Sequence, residues 1–150
     1  MQELKDRIIS EGRVLPGNII KVDGFLNHRI DTRLMRNIAD EFGKHFNMDE
    51  VTMILTAEAS GIALATMVAQ RFDKPLLYAK KAKSDNIEGG LYQSDIHSYT
   101  YKKKVTLLVS KEWFSSEEKV LIIDDFMANG EAMRGLCDIV TAAGATLVGI

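Results

Sequence analysis

Two adjacent carboxylates, Asp124 and Asp125, end the apolar run VLII at 120–123 and precede a stretch of small residues, Ala128-Asn129-Gly130-Glu131-Ala132, after which helical periodicity begins. Burying neighbouring acids without partners is costly, so the pair belongs at the C-terminal end of a strand, where ligands or water can meet it. In open parallel sheets that edge is where ligands bind. The loop 128–132 supplies small side chains, one glycine free to take unusual dihedrals, and a helix start. Its backbone N–H groups can converge on an anion, aided by a helix-terminal charge of about +0.5. Carboxylates repel a bare phosphate but accept hydrogen bonds from a sugar's hydroxyls, so the combination predicts a sugar phosphate as ligand.

A second segment, LTAEASGIA at 55–63, repeats the pattern of strand, small-residue loop and helix start. Its loop, with Ala59, Ser60 and Gly61, can also present amides to an anion. It reads equally well as an ordinary strand-to-helix turn, and Glu58 would oppose an anion unless directed away. Lys80, Lys81 and Lys83 follow the next apolar run, where they either neutralise a ligand's charge or are simply solvated. Asn27, in FLNHRID, carries both a donor and an acceptor in its amide. Among His28, His45 and His97 no spacing suggests a metal site, and no serine–histidine–acid order stands out.

The elements that must hold these residues follow from hydrophobic periodicity. Leu4, Ile8 and Ile9 at helical spacing predict a short helix over 1–11, stopped by Gly12. Pro16-Gly17 reads as a turn and Ile19 to Val22 as an extended piece. In DTRLMRNIADEFGKHF, Leu34, Met35, Ile38, Ala39, Phe42 and Phe46 fall on one face, with Asp31 placed to cap the first turn. Short apolar runs then alternate with helical segments: VTMILT (51–56), GIALATMVAQRF (61–72), PLLYAKK (75–81), VTLLVS (105–110), KVLIID (119–124), EAMRGLCDIVTAAG and ATLVGI. Such alternation predicts an α/β fold with a mostly parallel sheet covered by helices on both faces. The polar segment 82–104 has little periodicity and is expected to be a mobile loop or a hairpin.

With 150 residues the chain suits one domain. Nineteen basic against 21 acidic residues leave a formal charge of −2, so no basic footprint favours nucleic acid or an anionic membrane. No apolar run reaches membrane-spanning length and the first residues carry charges throughout, unlike a secretory leader. The one cysteine, Cys137, lacks an intrachain partner and is expected as a small buried helix residue in a reducing, cytoplasmic protein.

The stretch 120–132 resembles the binding motif for 5-phosphoribosyl 1-diphosphate in the type I phosphoribosyltransferases, which has apolar residues, two acids, two usually apolar residues and a small-residue loop. Phe126 and Asn129 depart from the usual pattern. KVDGFLNHRID (21–31) and LTAEASGIA resemble purine-salvage members of the same family, so the resemblance runs over essentially all 150 residues. It implies transfer of a phosphoribosyl group to xanthine, with Mg²⁺ as cofactor held mainly by substrate, and a homodimer. Asp124 and Asp125 would be catalytic, residues 128–132 would seat the 5′-phosphate, and Ala59, Ser60, Gly61 and Lys81 would meet the diphosphate. Ile20 and Asn27 would contact the purine. Residues 1–30 would form a small N-terminal hood and 31–150 the core, without the further strand and base-contacting lysine that follow in similar enzymes. Two alternatives share the motif: another purine base as acceptor, or a non-catalytic regulator that senses the same sugar diphosphate.

Overall fold

The computed structural model describes residues 1–17, 19–81, 90–98 and 103–150. Helix α1 (Gln2–Glu11) precedes a small antiparallel hairpin of β1 (Arg13–Leu15) and β2 (Ile19–Lys21), then helix α2 (Thr32–His45). Asp31 caps α2 by accepting hydrogen bonds from the amides of Arg33 and Leu34, both at 3.1 Å, which satisfies two donors that a helix start leaves open. The same carboxylate accepts from the Arg7 guanidinium at 3.1 Å and so ties α1 to the start of α2.

Four parallel strands form the central sheet: β3 (Met53–Ala57), β4 (Leu76–Ala79), β7 (Lys119–Ile122) and β8 (Thr146–Gly149), in the order β4-β3-β7-β8. Helix α3 (Gly61–Phe72) links β3 to β4, and α4 (Glu131–Ala143) links β7 to β8. Both faces are covered at the two central strands, which is why Met53–Leu55 and Val120–Ile122 form continuous apolar runs that do not alternate with polar residues. Ile54, Leu121 and Ile123 enter one core with Leu34, Met35 and Ile38 of α2 and Leu64, Ala65 and Val68 of α3. Met53, Leu55, Val120 and Ile122 enter the other, with Leu136, Ile139 and Val140 of α4.

The second core is closed by an antiparallel hairpin of β5 (Leu91–Ser98) and β6 (Lys103–Ser110), so the expected strand at 105–110 belongs to this hairpin and not to the parallel sheet. Ile96 and Leu107 of the hairpin press on α4 at Gly135, where an added Cβ would lie 2.5 Å from the Ile96 side chain. Of the two forms expected for 82–104, the hairpin is found over 91–98 and 103–104; residues 82–89, with Lys83, and 99–102 lie outside the described residues. Cys137 corrects its expectation: it is half-buried, because it flanks the buried Leu136 and Ile139 at the edge of the helix's apolar face. Among the described residues no helix is long and apolar enough to cross a membrane.

Candidate active site

From β3 the chain moves outward to β4, and from β7 it moves outward in the opposite direction to β8. The sheet therefore changes direction between β3 and β7, and the crevice beyond the carboxyl ends of those two strands is where such a fold opens a binding site. A cavity of about 600 Å³ lies there. Its walls come from the residues after β3, the residues after β7, the start of α4, the β5 end and the β1–β2 hairpin, which places Ser60, Lys81, Asp124, Asp125, Ile20 and Asn27 around one space. All five residues of the 128–132 loop line it as well. Ala59 and Gly61 do not.

Gly61 explains how the strand ends approach one another. A Cβ there would lie 2.4 Å from Thr56 Oγ1 and 2.6 Å from Asp124 Oδ1, so only glycine lets the start of α3 pass beneath the acid pair. Ser60 leaves its own helix uncapped and donates instead to Asp125 Oδ1 at 2.8 Å. Asp124 Oδ1 accepts from the Asp125 amide at 2.9 Å. Burial first, then the hydrogen bond and charge of Asp125, raise the Asp124 carboxyl from an ordinary 3.8 to about 7, against the opposing pull of Lys81. Asp125 Oδ2 and Thr56 Oγ1 are buried with no hydrogen-bond partner among the described residues. Buried polar atoms of this kind are uncommon and mark places where a ligand's hydroxyl can complete the set.

The start of α4 has no side-chain cap, and Gly130 precedes it at φ 73°, a left-handed conformation that suits glycine. The first helical bond joins the Arg134 amide to the Gly130 carbonyl, so the earlier amides of the turn stay open toward the cavity. Glu131 lies at that terminus, yet its carboxylate turns aside: Oε2 accepts from the His97 amide at 3.1 Å and from Arg134 Nη2 at 3.2 Å. Arg134 first, then the His97 amide, hold this carboxyl below the usual range. Glu58 also lines the cavity, and its carboxylate accepts from the amide of Lys81. The peptide between Glu58 and Ala59 is cis.

Sequence reasoning did not find Thr56, Ile96, His97 or Met133 as part of this region. Thr56 reads as one more strand residue, and the other wall residues belong to a hairpin and a helix face whose packing no local pattern reveals. Among the described residues no group of three or more His, Cys, Asp or Glu could hold a metal ion. The acid pair and the oxygen donors of a phosphorylated sugar nevertheless match a hard cation such as Mg²⁺, which binds through substrate oxygens and keeps its own waters.

Residues 25–150 match the phosphoribosyl transferase domain family. Over all of its 150 residues, and 77% of the relative's length, the chain is 50% identical to a xanthine phosphoribosyltransferase of Lachnoclostridium phytofermentans. It is 48% identical to the xanthine phosphoribosyltransferase of Bifidobacterium longum, again over the whole chain and 78% of the relative. The crystal structure of adenine phosphoribosyltransferase from Saccharomyces cerevisiae shares the fold with a TM-score of 0.77 at 16% identity, over 98% of this chain and 85% of that one.

Proposed function

This chain belongs to the phosphoribosyl transferase domain family, and from that premise we propose that it transfers the 5-phosphoribosyl group of 5-phosphoribosyl 1-diphosphate to xanthine, giving xanthosine 5′-monophosphate and diphosphate in purine salvage. The observation that carries the reading is the meeting of two strand-to-helix loops, at Ser60 and at 128–132, and an acid pair around one cavity that Ile20 and Asn27 also line. A donor with an anionic group at each end of a ribose fits two such amide clusters flanking two carboxylates.

In this reading the 5′-phosphate rests on the open amides at the start of α4, and the diphosphate faces Ser60 and Lys81. Asp124 and Asp125 hold the ribose hydroxyls, and Asp125 Oδ2 gains there the partner it lacks among the described residues. A purine nitrogen forms its bond to the anomeric carbon as the bond to diphosphate oxygen breaks, and the electron pair leaves with the diphosphate. The sugar is oxocarbenium-like between these events, as in glycoside chemistry, so nearby carboxylate charge favours it. No protein nucleophile is required; positioning and charge stabilisation are the contributions of the chain. Mg²⁺, when bound with the donor, would supply charge neutralisation for the departing diphosphate, and Asp124 and Asp125 are the residues that would help hold it. Asn27 reads the edge of the base, and residues 1–30 serve as a hood over the 31–150 core of a single domain. We further propose a homodimer working in the cytoplasm, as the resemblance of the 120–132 motif to the type I family implies.

Incubating the protein with Mg²⁺, labelled donor and each of xanthine, hypoxanthine, guanine and adenine tests the reading. Labelled nucleotide with xanthine in preference to the others is the expected result. Preference for another base would move the acceptor assignment, and no product with any base would point to a sensor of the donor.

A further inference from the structure

An acidic residue in the first helical turn normally sits near the open amides there, because the helix dipole attracts it. That position is the worst one for a carboxylate if the same amides are to receive a phosphate. Glu131 occupies the first turn of α4, and both of its oxygens are taken by groups that lie to one side. Oε1 accepts from Arg134 Nε at 3.4 Å, and Oε2 accepts from Arg134 Nη2 at 3.2 Å and the His97 amide at 3.1 Å. Arg134 is itself locked. Nη2 donates to the Asp95 carbonyl at 2.8 Å and Nη1 to Asp138 Oδ2 at 2.7 Å, an oxygen that also accepts from Ser94 Oγ at 2.8 Å. A rigid planar fork of donors can engage these separate acceptors at once, which an ammonium cannot do equally well.

We propose that Arg134 is a positioning residue for the donor's 5′-phosphate: it draws the Glu131 carboxylate off the start of α4 and onto the β5–β6 hairpin, so that the helix's open amides face the phosphate. The inference rests on the reading of that helix start as the phosphate seat. Arg134 touches neither donor nor acceptor base in this account. Without it, two carboxylates, Glu131 and Asp138, remain on this part of the helix with no cation of their own, and Glu131 returns to the amides as the phosphate's competitor.

Calorimetric titration with ribose 5-phosphate, alongside steady-state kinetics with the full donor, tests this. Arg134→Gln is expected to weaken ribose 5-phosphate and to raise the donor KM by about five- to tenfold, with kcat within about twofold of the unsubstituted protein. The double variant Glu131→Gln/Arg134→Gln is expected to recover both to within about twofold, since the competing charge is gone. A double variant as weak as Arg134→Gln alone would mean that Arg134 only braces the hairpin, and would overturn the proposal. So would an Arg134→Gln protein that binds as tightly as the original. Arg134→Lys keeps the cation and loses the fork; it is expected to fall between the two, and it carries the test should Arg134→Gln not fold, with binding indistinguishable from the original overturning the need for a fork. Absence of heat with the unsubstituted protein would overturn the phosphate seat itself, and with it this inference, whereas heat indifferent to Arg134 would overturn the inference alone.

Discussion

Asp124→Asn should make the protein more stable and inactive, and the stability gain should grow with pH. Burial and the neighbouring Asp125 raise the Asp124 carboxyl from 3.8 to about 7. The folded chain therefore holds a proton that the unfolded chain releases between those two values. Below about pH 4 the group is protonated in both states and contributes nothing. From there upward the unfolded state ionises freely while the folded state cannot, so stability falls through the window from about 4 to about 7 and levels off above it. A rise of that size corresponds to at most about 4 kcal/mol, fully developed near pH 8. Asparagine keeps the shape and can still accept from the Asp125 amide, but carries no charge at any pH. Melting both proteins from pH 5 to 8.5 in buffers free of phosphate reads the difference directly. With a few degrees per kcal/mol for a chain of this size, the variant should melt about 5–15 °C higher at pH 8, with the gap shrinking to roughly a third of that at pH 5. A gap that stays constant across the range, or a variant less stable at pH 8, would refute the assignment of a buried, repelled carboxyl at position 124.

Asp125→Asn should cut turnover by about a hundredfold or more while leaving the melting temperature nearly unmoved, as expected of a residue that acts on a developing charge; steady-state rates matching the original would remove it from the mechanism. Gly61→Ala should destabilise by about 1–3 kcal/mol, because the added methyl meets both Thr56 Oγ1 and Asp124 Oδ1, and urea titration checks it. Thr56→Val should be neutral or slightly stabilising in the same assay, since the hydroxyl it removes is buried without a partner; a loss above about 1 kcal/mol would show that the hydroxyl is bonded in the folded protein.

The helices and sheet strands were legible because their burial is periodic or continuous along the chain. Leu34, Met35 and Ile38 mark α2 by spacing alone, and the apolar runs at 53–55 and 120–122 mark strands buried on both sides. The β5–β6 hairpin was legible only in part, as one of two forms for 82–104 with its second strand assigned to the sheet, because its packing partner is a helix distant in sequence. The acid pair and the 128–132 loop could be read as a sugar-phosphate seat from local chemistry. Ile20 and Asn27 could not, since nothing in the hairpin or the turn after it says that the fold lays them across the cavity; only family resemblance singled them out. The side-chain directions of Glu58 and Glu131 were also beyond reach. Each depends on an amide contributed by another element, Lys81 after β4 in one case and His97 in the hairpin in the other.

The proposed transfer requires one cavity that takes a ribose by its phosphate, its hydroxyls and its diphosphate together. Isothermal titration of the protein with 5-phosphoribosyl 1-diphosphate and Mg²⁺ measures this most directly. Saturable heat at one site per chain, reduced when inorganic diphosphate and ribose 5-phosphate are both present as competitors, is the predicted result. No heat, or heat that neither competitor diminishes, would contradict it.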